Sequence, residues 1–238
     1  MNIAKGEGWE RAASGKGGHI LLKGGVMGNK GKSGCGCLVF TLVICMVLVG
    51  VLIHPFTLRL MVKQMRYEDK IVPADIVFVP RFVEDRNGEL YTDAFREYWA
   101  GNGKTIYVEE DKMFGISMED LIAKMAQAKG IKENIVKSVS AEGEESIRLD
   151  KIKEKFQAMG PKKIIVLVPE YASKRFHYVF NSSQDSEKTL FMIKPVEVTY
   201  FKKDKWWKDG TSRIVFGKEI YELGSYYFSG FKGGEKKK

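Results

Sequence analysis

No cysteine follows Cys45, and the two before it, Cys35 and Cys37, stand one glycine apart with no second spaced pair. A zinc site needs ligands in separated pairs, so none is expected here, and the cysteine-free remainder is compatible with either side of a membrane. The three thiols sit in or beside one apolar run, where packing or palmitoylation explains them. Also missing are zinc-finger, homeodomain and aromatic-basic RNA signatures. No internal repeat of fixed period is present. The stretch Gly24 to Gly34 is rich in glycine and lysine, but a phosphate loop ending in Gly31, Lys32 and Ser33 would need glycine at position 26, where Val26 stands.

Charge is unevenly placed. The net is +9 over 238 residues, with six cations against two acids before Gly34 and Lys236, Lys237 and Lys238 closing the chain. Without a recognition motif this excess does not point to nucleic acid. An apolar share of 44% is enough for a real core. Residues 1–33, basic and glycine-rich without periodicity, read as a flexible flank, and residues 232–238 as a basic tail. Met1 and Met27 are both compatible starts.

Between Lys32 and Arg59 no side chain carries a full charge, and as a helix the segment would cover about 39 Å. Leu38 to Ile53 is apolar on every face, so it lacks the polar stripe of a helix lying on a soluble domain. His54, Pro55, Phe56 and Thr57 follow it in place of a small-residue cleavage site, and Cys35 precedes the run where a lipoprotein cysteine would follow it. The expectation is an uncleaved transmembrane helix over 34–58, with the bilayer as its partner and a polar connector over 59–72. Lysines and arginines flank the run on both sides, so charge leaves the orientation open.

From residue 73 to 231 strand and helix patterns alternate. Pro73 to Pro80, Lys104 to Glu110, Asn134 to Ser140 and Lys162 to Pro169 are β-branched runs, and amphipathic segments of helical spacing lie between them. Ser117 is a good helix cap, Gly130 and Gly160 are helix stops, and Gly224 reads as a flexible point in a terminal helix. Such alternation predicts an α/β fold, a Rossmann-like, mostly parallel sheet with helices on both faces. Ligands of such sheets lie beyond the carboxyl ends of the strands, which places Pro169 to Arg175 at a pocket.

The order of the pieces resembles the SanA/YdcF/ElyC family of bacterial envelope proteins. The likeness runs from about Pro73 to Phe231 and rests on "PADIVFV", Ala94 with Gly101, "SMEDLIAKMAQAKGI", "IIVLVPEYASKRF" and "KDKWWKDGTSRIVFGKEIYELGSYY". It implies a Rossmann-like domain behind one membrane helix, on the exported side of a bacterial inner membrane, with an anionic, phosphorylated or lipid-linked ligand. Where the family carries glycine-rich turns after its first two strands, this chain has Pro80, Arg81 and Phe82, then Glu109, Glu110 and Asp111. The family histidine falls on Ala172, and an expected arginine on Leu90, with Arg86 one turn earlier.

Positions that still match are Glu119, Ser146, Arg175, Trp206 or Trp207, and Glu219. Arg175 offers a planar fork to an oxyanion, or pairs with Glu119 or Glu170 to organise loops. Glu119 is the candidate general base, or complements a helix dipole; Ser146 donates to a ligand, or caps a helix. Glu170, Trp206 and Glu219 complete the candidate ligand-binding set. Trp206 and Trp207 among Lys202, Lys203, Lys205 and Lys208 suit packing over the sheet or a membrane interface. His177 reads as a core or surface histidine with no part in a site. Glu109, Glu110, Asp111 and Glu119 are a conceivable but unassigned metal set. Three functions are open: an anion-binding membrane-anchored domain, an enzyme using Glu119 and Arg175 on an envelope precursor, or a scaffold with its pocket closed by Arg81, Phe82 or Phe114. The residues name no cofactor and no protein partner.

Overall fold

A computed structural model describes residues 33–110, 112, 113, 115–181 and 189–233. The flank to residue 32 with its Met27 start, Asp111, Phe114 and the tail from residue 234 lie outside the described residues. The chain divides into two units after Leu48. In the first, the described part belongs to helix α1 (Ser33–Leu52). Along α1, Leu38, Phe40, Val47 and Leu52 are each more than half exposed.

The expected helix over 34–58 is interrupted. Pro55 has no N–H to bond one turn back, its ring crowds that turn, and it pushes His54 out of the helical region. His54 sits extended at φ −63° and ψ 135°, its Nδ1 accepts from the Phe56 N–H at 3.3 Å, and Pro55 opens α2 (Pro55–Met65). Among the described residues no single helix is long and apolar enough to cross a membrane, whereas Cys37–Leu52 and Pro55–Met65 meet those criteria only as a pair bent by 59°. Much of the predicted connector over 59–72 is therefore helix. Val62 and Met65 are buried against the domain, a periodicity hidden in sequence by the adjoining apolar run.

The sheet in the second unit is parallel throughout, in the order β5-β2-β1-β6-β7. Its strands are β1 (Ala74–Val79), β2 (Gly103–Glu109), β5 (Val136–Val139), β6 (Lys163–Pro169) and β7 (Leu190–Val196); β3 (Lys112–Met113) and β4 (Ile116–Ser117) form a separate antiparallel pair. The α/β architecture with a mostly parallel sheet is the one the alternation predicts. β7 was not foreseen: Lys194 and Pro195 break the β-branched pattern, and an edge strand tolerates a proline that a central one does not. β7 pairs only with β6, Pro195 lying opposite Val168.

Helices α3 (Glu89–Trp99) and α4 (Met118–Ala128) cross from β1 to β2 and from β2 to β5, while α5 (Glu145–Met159) and α6 (Ser173–Asn181) lead back through β6 to β7. Right-handed crossovers put the two pairs on opposite faces. Phe78 of β1 meets Phe156 of α5 at 5.0 Å and Phe180 of α6 at 6.2 Å between ring centroids, which fixes their face. Ser117 caps α4, accepting from the Asp120 N–H, and Gly160 ends α5 at φ 76°, where a side chain would be strained. Helix α7 (Gly210–Gly233) runs unbroken through Gly224.

Candidate functional site

β1 and β6 are neighbours, but the chain leaves β1 for α3 on one face and β6 for α6 on the other. This reversal opens a crevice at the carboxyl ends of the two strands. A cavity of about 60 Å³ lies there, walled by the loop after β1, the start of α5, the turn after β6 and the inner side of α7. The volume suits an ion or a very few waters.

Arg175, at the start of α6, projects into this wall and is 2% exposed. Its Nε–H donates to Glu219 Oε1 at 2.7 Å and Nη2 to Glu219 Oε2 at 2.9 Å, a two-point contact, while Nη1 donates to Glu145 Oε1 at 2.7 Å. The guanidinium also lies 4.9 Å from the Phe176 ring centroid. Burial opposes its charge, but the two carboxylates outweigh burial and raise its pKa. Burial pushes the Glu219 carboxyl up to about 7 against the pull of Arg175. Glu145, more open to solvent, feels burial too, yet Arg175, Lys218 and Arg148 hold it below its ordinary value. Lys218 Nζ stands 3.7 Å from Glu145 Oε2 and 3.8 Å from Glu84 Oε1.

A second buried carboxylate closes the other side. Glu109 ends β2, accepts the Arg81 backbone N–H at 2.8 Å and pairs with Arg148 Nε. The amide that follows β1 is thus held by an internal oxyanion, where the family resemblance implies glycines open to a phosphate. Above the cleft the Tyr171 and Tyr200 hydroxyls meet at 3.2 Å, and burial raises both pKa values so that the phenols stay protonated.

Of the residues singled out from sequence, Arg175 and Glu219 come together here. Glu119 does not: it accepts from the Ser138 hydroxyl of β5, three strand positions from β6, roughly 14 Å at ordinary strand spacing. Ser146 is half-buried in the first turn of α5 and is not in the cavity wall; its neighbour Glu145 is. Glu170 pairs instead with Arg66 at 3.6 Å and Lys203 at 3.5 Å. Trp206 packs on Phe216 at 4.4 Å and donates its Nε1–H to the Leu58 carbonyl at 2.9 Å, fastening α2. His177 stacks on Tyr67 at 3.7 Å, and burial lowers its pKa. Arg86 is exposed, and Leu90 is in the core. No group of three or more metal-ligating side chains exists among the described residues.

Sequence reasoning missed Glu145, Arg148 and Lys218. The available signal was the spacing of Glu145 and Arg148, which shares one face of the first turn after β5. Chemically, the cleft pairs Arg148 and Arg175 with carboxylates, and among the described residues its wall holds no imidazole or thiol. It is equipped to hold charge. No family model, curated protein or solved structure matches the chain.

Proposed function

We propose that the protein is a membrane-tethered α/β domain that holds a small oxyanion, the phosphoryl or carboxylate group of a larger molecule, in the switch-point cleft, as a binding protein and not as a catalyst. The observation that carries this reading is Glu145. Its carboxylate bridges Arg175 Nη1 and the neighbourhood of Lys218 Nζ, yet it remains 19% exposed, whereas Glu219 on the same guanidinium is 3% exposed. Glu219 orients the fork, and Glu145 occupies the place an incoming oxyanion would take. Displacing one carboxylate by another oxyanion costs the guanidinium little, because the charge-assisted bonds are replaced in kind.

The tether is α1, whose apolar side chains find their complement in lipid. The likeness to the SanA/YdcF/ElyC family supports placing the domain on the exported side of a bacterial inner membrane and a lipid-linked ligand for the cleft. A reporter fused after Phe231 checks the orientation.

Titration of the full chain in detergent micelles with inorganic phosphate and a short-chain phosphatidic acid, followed by calorimetry, tests the cleft. Glu145→Gln removes the competing charge and is expected to tighten binding about tenfold, or 1.4 kcal/mol. Lys218→Ala is expected to weaken it. If neither wild type nor Glu145→Gln binds either probe, the alternative stands: the cleft is a structural ion-pair core of a scaffold, the reading favoured by the use of Arg175 Nε, Nη1 and Nη2 within the protein.

A further inference from the structure

Helix α2 shows a face that the fold leaves uncovered. Val62 and Met65 point into the domain, while Phe56 and Leu60, four residues apart, lie on the outward side, 70% and 42% exposed. Arg59 and Lys63, also four apart, share that side with them. In water this pattern is doubly unfavourable: two large apolar groups are hydrated, and two like charges stand one turn apart.

Beside α2 lies the 3-10 turn Lys203–Lys208, fastened by the Trp206 Nε1–H bond to Leu58 and by Arg59 Nε–H donating to the Asp204 carbonyl at 3.3 Å. The turn adds exposed Lys205 and Lys208 and a half-exposed Trp207. Among the described residues Lys63, Lys205 and Lys208 have no ion-pair partner, unlike Lys203, which reaches Glu197 at 2.8 Å.

We infer that α2 and this turn form a peripheral contact with an anionic lipid surface, separate from the tether. Apolar side chains flanked by long cations fit the boundary between headgroups and acyl chains, with the ammonium and guanidinium groups reaching back to phosphate. Each lysine or arginine beside such a surface adds to the attraction, and Arg59, Lys63, Lys205 and Lys208 lie together. The occupant follows from chain continuity: α2 begins at Pro55, two residues after the apolar run ends, so a bilayer that receives α1 has its headgroups beside α2. This inference rests on the membrane part of the reading above and not on the cleft.

The test uses the full chain reconstituted in nanodiscs of phosphatidylcholine with or without phosphatidylglycerol. Amide exchange is read at residues 55–65 and 203–208, together with quenching of Trp207 by brominated lipid, Trp207→Phe identifying that indole. Exchange in both segments is expected to slow in the anionic discs about tenfold, and to recover in high salt, as screened surface charge requires. The triple variant Lys63→Glu, Lys205→Glu, Lys208→Glu is expected to lose the protection while staying embedded; Phe56→Ser with Leu60→Ser is expected to lose the quenching. Equal exchange in the two kinds of disc, or protection that survives the triple variant, overturns the inference while an embedded chain keeps the tether. A chain that floats with anionic vesicles only at low salt and is stripped at high salt separates the two claims the other way: the surface contact stands and the tether falls.

Discussion

Arg175 and Glu219, 44 residues apart in the chain, meet through two parallel hydrogen bonds of 2.7 and 2.9 Å. Both are almost wholly buried. Such a pair gains little over apolar packing, because removing two charges from water costs nearly what their attraction returns, but either charge alone is far worse. Arg175→Met is therefore expected to lower unfolding free energy by about 3–5 kcal/mol in urea titration. The double variant Arg175→Met with Glu219→Leu is expected to regain most of it. A double variant no more stable than the single one would refute this account of the pair.

The same pair gives stability a pH dependence. Burial, opposed by Arg175, raises the folded pKa of Glu219 from 4.5 to about 7. A raised folded pKa means that the folded state binds the proton more tightly, so the contribution is complete below pH 4.5 and is lost as pH rises towards 7, about 3 kcal/mol at 1.36 kcal/mol per unit. Glu145 acts in the opposite sense: its folded pKa lies below 4.5, so its contribution is present above that value and falls away in stronger acid. Urea midpoints of the wild type should decline from pH 4.5 to 7, and Glu219→Gln should flatten that decline. A wild-type curve already flat over this range would count against it.

How much of this was legible beforehand depends on the range of the interaction. Four of the five parallel strands were readable, because a run such as Ile164 to Val168 states its burial locally. β7 was not, since Pro195 argues against a strand unless the edge position is known. Arg175 and Glu219 were both singled out, but their contact was not, nor was that of Arg175 with Glu145, 30 residues away. Ion pairs of that span depend on where α5 and α7 land, which no local pattern encodes. Glu109 was noted as a departure from a glycine turn. Only the fold shows that its carboxylate stands against the backbone amide of Arg81.

Gly103 has a steric reason. A Cβ built there would lie 2.2 Å from Val77 Cγ2, inside contact distance, where β2 begins beside β1. Gly103→Ala is expected to cost about 1–3 kcal/mol by thermal or urea unfolding, the ordinary penalty for overfilling a packed core. Val77→Ala added to it removes the clashing methyl groups and should restore part of the loss. If the pair is simply additive, the collision is not the cause.

Trp206 is expected to act on α2 and leave the cleft alone. Trp206→Phe keeps an aromatic ring against Phe216 but deletes the N–H that Leu58 accepts at 2.9 Å. Losing one such bond costs about 1 kcal/mol, more if the carbonyl stays dry. Amide exchange in residues 55–65 should speed up while exchange around Arg175 is unchanged. Faster exchange around Arg175 as well would mean that the two regions are coupled.

Pro55 sets where the helix breaks. The 59° bend falls at the one point in the run where an N–H is missing and the preceding residue is driven extended. Pro55→Ala restores a donor that can reach the Val51 carbonyl and frees His54 to turn helical. Other contacts hold α2 against this change, among them the Trp206 bond to Leu58, the Arg59 bond to the Asp204 carbonyl and the burial of Val62 and Met65. Spin labels at Cys45 and at a cysteine replacing Gln64, with Cys35 and Cys37 changed to serine, would report the distance across the break in lipid. A longer and narrower distribution in Pro55→Ala is expected if the proline sets the angle. An unchanged distribution would assign the angle to the docking of α2, and Pro55→Ala combined with Trp206→Phe should then release it.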